Sequence, residues 1–244
     1  MGVDLSALDR MPQAVRHFWK ARIRAARSQK QRGIRDQGGR SGVTAGRNLD
    51  RFVAIARQII IDNGIAGTEI HTGRRVSLAI PGFYRPTKSW DLLVVTRGQL
   101  VAAIEFKSQV GPSFGNNFNN RVEEALGNAT DLNTAFREGA FGESAKPFLG
   151  FFFVLEECPQ STTPVRFVSP HFPAMPEFED ASYADRYEIL CRKLVQEQLY
   201  DAAALVLTKA GAARTGAYRA ASDLTSPRRF ASTLAGKIAA LAAE

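Results

Sequence analysis

The sequence predicts an α/β protein with a mixed central sheet flanked by helices. Three observations lead to it. Apolar residues recur at helical steps near both ends of the chain, short strand-like segments follow one another closely between residues 75 and 107, and PFLGFFFVLEE, residues 147–157, is almost wholly apolar, as in a strand buried on both faces.

Residues 12–30 read as a helix, with Val15, Phe18, Trp19, Arg22, Ile23 and Ala26 at three- and four-residue steps and Arg16, Lys20, Arg24 and Arg27 beside them. RGIRDQGGRSGVTAG contains five glycines and reads as a basic loop. A second helix is expected over 48–63, capped by Asn48 and stopped by Asn63-Gly64. Strands are expected near 75–80, 89–95 and 100–107. The polar loop SQVGPSFGNNFNN then leads to a helix from about 119 to 137, with Val122, Ala125, Leu126, Ala129, Leu132 and Phe136 on one face. After the apolar strand come a helix over 183–199, a strand over 202–208 and an alanine-rich helix over 227–243. The order implies an antiparallel meander followed by crossovers.

At 244 residues, 45% hydrophobic and 23% charged, the chain is long enough for one substantial globular domain. No apolar run approaches the roughly 20 residues that span a bilayer. The first residues carry acids and no apolar signal segment, so a cytoplasmic protein is expected. Cys158 and Cys191 have no CxxC spacing, and His17, His71 and His171 no metal-ligand spacing, so these residues are expected to be structural. The charge of +8 is concentrated: residues 16–47 hold ten basic residues and one acid, Asp36, a local balance of +9. Such a cluster points to a polyanionic partner, most often nucleic acid.

The segment AIEFKSQ, 103–109, places Glu105 and Lys107 on one face of a strand and Phe106 on the other. Asp91 lies on the strand before it. A two-residue turn at Arg97-Gly98 would set Asp91 opposite Ile104, whereas a three-residue loop or a bulge would set it opposite Glu105, with Cβ atoms about 5 Å apart. Two carboxylates that close repel unless a cation lies between them, and hard oxygen ligands favour Mg²⁺. Lys107 then stands beside the attacking water, where it can orient it, stabilise phosphate charge or accept a proton. The plainer alternative is an ion pair at a sheet end.

The pattern Asp91 … Glu105-Phe106-Lys107, in the order helix, three strands, helix, strand, resembles the PD-(D/E)xK nuclease core. FKSQVGPSFGNNFNNRVEEALGNATDL, residues 106–132, resembles the XhoI-type type II restriction endonucleases, over nearly the whole chain. The literal Pro-Asp pair is not kept, since Pro86 lies five residues before Asp91. The resemblance implies a restriction-endonuclease-like core and a Mg²⁺-dependent homodimer that cuts double-stranded DNA at CTCGAG after the first C, leaving 5′ overhangs. Asp91 and Glu105 would be metal ligands, the Phe106 carbonyl a third, and Lys107 would act at the attacking water. A companion DNA methyltransferase would protect the cell's own DNA.

On this reading residues 1–47 form a basic, DNA-contacting extension, and 48–244 the nuclease domain, with its core at about 48–157 and a helix–strand–helix at 183–243. DNA contacts are expected from Lys88, Ser108, Gln109, Asn116, Asn117, Arg35, Arg40 and Arg47, with Arg85 also placed to meet the scissile strand and Glu124 an accessory acid. Two other functions fit the same residues: a repair or recombination nuclease with little sequence preference, and a DNA-binding protein that cuts nothing.

Overall fold

In a computed structural model, residues 2–31, 48–64, 69–73 and 75–242 are described. Their centre is a six-stranded sheet in the order β1-β4-β5-β6-β7-β8. Its strands are β1 (Ile70–Thr72), β4 (Leu92–Thr96), β5 (Gln99–Gln109), β6 (Phe148–Glu156), β7 (Ala202–Thr208) and β8 (Arg219–Ala220). β5, β6 and β7 are parallel, and the strands outside them pair antiparallel. A separate hairpin, β2 (Ala79–Pro81) with β3 (Thr87–Ser89), leads into β4.

One apolar layer joins the sheet to α1 (Met11–Gln31), α2 (Asp50–Asp62) and α5 (Pro227–Ala242), and the other joins it to α3 (Phe114–Arg137) and α4 (Tyr183–Gln196). In α1 the first half of the expected stripe, Val15, Phe18 and Trp19, is buried in the same layer as α2 and α5, whereas Ile23 and Ala26 are exposed. β6 is buried on both faces, as its composition requires. Phe152 of β6 lies 5.5 Å from Phe52 of α2, 5.4 Å from Phe106 of β5 and 5.6 Å from Phe230 of α5, ring centroid to ring centroid, so one aromatic knot ties four elements together.

The β4–β5 junction decides where the chemistry lies. Arg97 and Gly98 both have positive φ (51° and 77°) and form a two-residue turn between Thr96 and Gln99, as the right-handed twist of a hairpin requires. Pairing then slips between Val94 and Val95: Val95 faces Leu100, but Val94 faces Ala102. Val101 is the extra residue of a β-bulge, and it and Ala102 both join the layer of α1, α2 and α5. Beyond the bulge Ala103 joins the opposite layer, so Glu105 is carried to the α3 side.

Several expected boundaries are corrected. The sheet's first strand is Ile70–Thr72, while Arg75–Leu78 is a 3₁₀ turn, and only Ala79 and Ile80 of the 75–80 segment are extended, in the separate hairpin. Asn48 does not cap α2; the N-cap is Leu49. α3 begins at Phe114, because Phe114 packs against Tyr183 and Phe118 against Tyr187, and this packing overrides the weak helix propensity of glycine and four asparagines. Ser182 and Asp185 close a capping box on α4, whose end at Gln196 precedes the expected one.

Because Phe152 joins four elements, Phe152→Ala is expected to lower unfolding free energy by about 3–5 kcal/mol in urea titration.

Candidate active site

Glu105 is 3% exposed and lies on the sheet face covered by α3. A buried carboxylate must be matched by donors or cations. Lys107 Nζ lies 2.6 Å from Oε1, Lys88 Nζ lies 3.0 Å from Oε2, and Asn128 Nδ2 donates to Oε2 at 2.7 Å. Lys88 comes from β3, donates to the Ser89 carbonyl and sits over the Trp90 ring at 4.6 Å. Lys107 also faces Glu124 Oε2 of α3 at 3.7 Å, and Glu124 is held in turn by Arg121.

Asp91 sits one residue before β4. Its backbone N–H donates to the Ile104 carbonyl at 3.2 Å, and its Oδ2 accepts the Phe106 N–H at 2.7 Å. The bulge-shifted register, which pairs Leu92 with Ile104, therefore brings Asp91 to the segment that carries Glu105. Phe106 turns its ring into the opposite layer, leaving its backbone at the site.

Burial raises the Asp91 carboxyl above its ordinary range, with Glu105 adding to the rise against the Phe106 N–H and the lysines. Burial would raise Glu105 as well, but Lys107 and then Lys88 outweigh it and hold that carboxylate below its usual range. Burial opposes the charge of Lys107, yet Glu105 first, with Glu124 and Asp91, keeps it above the ordinary lysine value. The two acids are thus pushed in opposite directions, Asp91 upward and Glu105 downward.

Among the described residues no group of three or more His, Cys, Asp or Glu side chains is gathered as a metal cage. Two carboxylates and a backbone carbonyl are hard oxygen donors, the set from which Mg²⁺ takes one or two carboxylates and completes its shell with water and phosphate. The donors fit that ion.

Ser108 accepts from Arg22 Nη2 of α1 at 3.1 Å, on the face away from Glu105. Gln109 is buried and its amide donates to the Val110 carbonyl. Asn116 is exposed and Asn117 donates to the Ser113 carbonyl, both in the first turns of α3 rather than in a loop. Arg85 is committed to Asp131 and Asn128. Arg35, Arg40 and Arg47 lie outside the described residues.

Sequence reasoning missed Asn128 and Asp131. Asp131 is buried on α3; Oδ1 accepts the N–H groups of Phe83 and Tyr84, both at 2.8 Å, and Oδ2 accepts Arg85 Nε at 2.7 Å. Arg85 Nη2 donates to Asn128 Oδ1 at 2.8 Å, so a continuous polar chain runs from the β2–β3 connection to Glu105. The signal was present: Arg121, Glu124, Asn128 and Asp131 repeat at three- and four-residue steps, a polar stripe on a helix otherwise read by its apolar face.

A family model described as restriction endonuclease XhoI matches residues 28–220. The chain is 50% identical over 197 residues to the type II restriction enzyme XhoI of Xanthomonas vasicola, covering 80% of this chain and 78% of that one. It is 48% identical over 195 residues to the type II restriction enzyme BstVI of Geobacillus stearothermophilus, covering 78% and 86%. It is 49% identical over 173 residues to the type II restriction enzyme AbrI of Azospirillum brasilense, covering 70% and 77%. No solved structure matches.

Burial works against the charge on Asp131, but the Tyr84 and Phe83 N–H groups and Arg85 hold its carboxyl below the ordinary range. A depressed carboxylate stabilises the fold fully above its unfolded pKa of about 3.9 and loses that contribution as pH falls through the folded value. Asp131→Asn is therefore expected to cost about 1–3 kcal/mol between pH 5 and 8. The gap from the parent protein should close in urea titrations carried below pH 4.

Proposed function

The chain belongs to the XhoI restriction endonuclease family, and we propose that it hydrolyses double-stranded DNA at the palindrome CTCGAG, cutting after the first C to leave 5′ overhangs, with Mg²⁺ as cofactor. The observation that carries the chemistry is the meeting of Asp91, Glu105 and Lys107 on one sheet face, produced by the bulge at Val101.

Asp91, Glu105 and the Phe106 carbonyl would hold the metal. When bound, Mg²⁺ neutralises charge on the scissile phosphate and makes water a better nucleophile. Oδ2 of Asp91 accepts the Phe106 N–H, which sets the orientation of the carboxylate that would hold the ion. Lys107, a cation on the exposed side of Glu105, orients the attacking water and opposes negative charge on the phosphate. Lys88 approaches Glu105 from the other side and balances its charge while the DNA is absent. A P–O bond forms to the water oxygen and the bond to the 3′ oxygen breaks. One proton is lost from the water and one gained by the 3′ oxygen, giving 5′-phosphate and 3′-hydroxyl ends.

The basic segment at 16–47 would supply phosphate contacts, and Lys88, Asn116 and Asn117 would meet the strand at its scissile phosphate. A two-fold DNA site is met most simply by a homodimer. The cell's own sites would be shielded by a companion methyltransferase. No helix among the described residues is long and apolar enough to cross a membrane.

The test is incubation of the purified protein with a plasmid of known sequence, with Mg²⁺ or with a chelator, beside Glu105→Gln. Discrete fragments ending at CTCGAG are expected only with Mg²⁺, and the variant should cut roughly 10²- to 10³-fold more slowly. A smear would instead indicate a nuclease without a site, and binding without cleavage under any divalent metal would rule out the hydrolytic reading.

A further inference from the structure

The connection between β2 and β3, GFYRP at 82–86, is built in a way that cleavage chemistry alone does not require. Phe83 and Tyr84 are 50% and 70% exposed, and their rings meet edge to face with centroids 4.9 Å apart. Exposed aromatic side chains on a loose loop would call for little comment. These two are mounted rigidly, because both backbone N–H groups are fixed by Asp131 Oδ1 and the next residue, Arg85, by Asp131 Oδ2. Gly82 lies so close that a Cβ there would come within 2.6 Å of Asp131 Oδ2, so no side chain could be accommodated without breaking the clasp. The rings are thus displayed to solvent on a tip whose backbone is held by Asp131.

The tip is also tied to the reacting centre. Asp131 lies three residues beyond Asn128 on α3, about 4.5 Å along the helix axis. Asn128 joins Arg85 to Glu105, and Lys88, on the returning strand of the same hairpin, lies at Glu105 as well. Residues 82–89 carry two basic groups and no acid, which suits a polyanion. The chain Tyr84–Asp131–Arg85–Asn128–Glu105 consists of direct side-chain contacts, which keeps the rings within a few side-chain lengths of Glu105.

We infer that Phe83 and Tyr84 form a DNA-contacting tip, packing their rings against bases or deoxyribose beside the scissile phosphate. This rests on the restriction-endonuclease reading above. The contact is apolar, so it adds affinity without adding a phosphate charge pair.

The experiment is equilibrium binding of the full chain, with chelator present so that no strand is cut, to a fluorescent duplex containing CTCGAG. Anisotropy is measured across a salt series for the parent protein and for Phe83→Ala, Tyr84→Ala and Val168→Ala. Val168 is 90% exposed in another loop and controls for loss of surface apolarity. All three altered side chains are substantially exposed, and thermal melts should coincide with the parent. Either ring removal is expected to raise Kd about tenfold, about 1.4 kcal/mol, with the slope of log K against log salt unchanged. Val168→Ala should leave Kd in place. Kd within twofold of the parent for both ring variants would overturn the inference, as would a change of oligomeric state in place of affinity, which would make the tip a protein contact. Failure of the nuclease reading is separable: it appears as absent plasmid cleavage, whatever the ring variants do.

Discussion

The carboxylate of Glu105, almost wholly removed from water, is the constraint around which the rest of the site is arranged. An isolated ionised carboxylate in such a place would take up a proton. Here two ammonium groups and an amide reach it from three elements, β5, β3 and α3. The small hairpin, α3 and the active strand each place one group against that single charge. The wider cluster is close to electrically balanced, with Asp91, Glu105 and Glu124 set against Lys88, Lys107 and Arg121. A local balance of this kind lets acids be stored at a place that a polyanion must approach, while the excess positive charge of the chain is concentrated at 16–47.

The parts of this arrangement legible in the sequence are those governed by local periodicity. Alternation put Glu105 and Lys107 together with Phe106 opposite, and the aliphatic and aromatic run at 148–156 could only be an interior strand. Family resemblance supplied the enzyme class, which the relatives at about half identity support. The less legible parts depended on contacts between distant segments. The start of α3 at Phe114 is imposed by tyrosines some 70 residues later. Lys88, expected on the DNA, reaches Glu105 because a hairpin folds back over Trp90. Asn128 and Asp131 looked like ordinary helix residues until the loop at 82–86 was seen to fold onto them.

α1 illustrates a second kind of ambiguity. Its arginines and lysines read in the sequence as a surface for a polyanion, yet Met11, Val15, Phe18 and Trp19 on its other side are as deeply buried as any part of the molecule. Trp19 donates to Thr208 of β7, and Arg22 lies over Phe18 and donates to Ser108. One helix therefore serves both as a wall of the apolar layer and as a carrier of positive charge, and composition alone records only the second role.

The slip at Val101 sets a condition on how such a chain can change. A single added or deleted residue between Gly98 and Glu105 exchanges inside for outside over the rest of β5: the phenylalanine moves toward α3, and the acid and lysine move into the apolar layer of α1, α2 and α5, away from Lys88 and Asn128. Length in this stretch is tolerated only by parity, with changes arriving in twos or accompanied by a second slip that cancels the first. The count of residues from turn to acid is as much a part of the site as the acid itself.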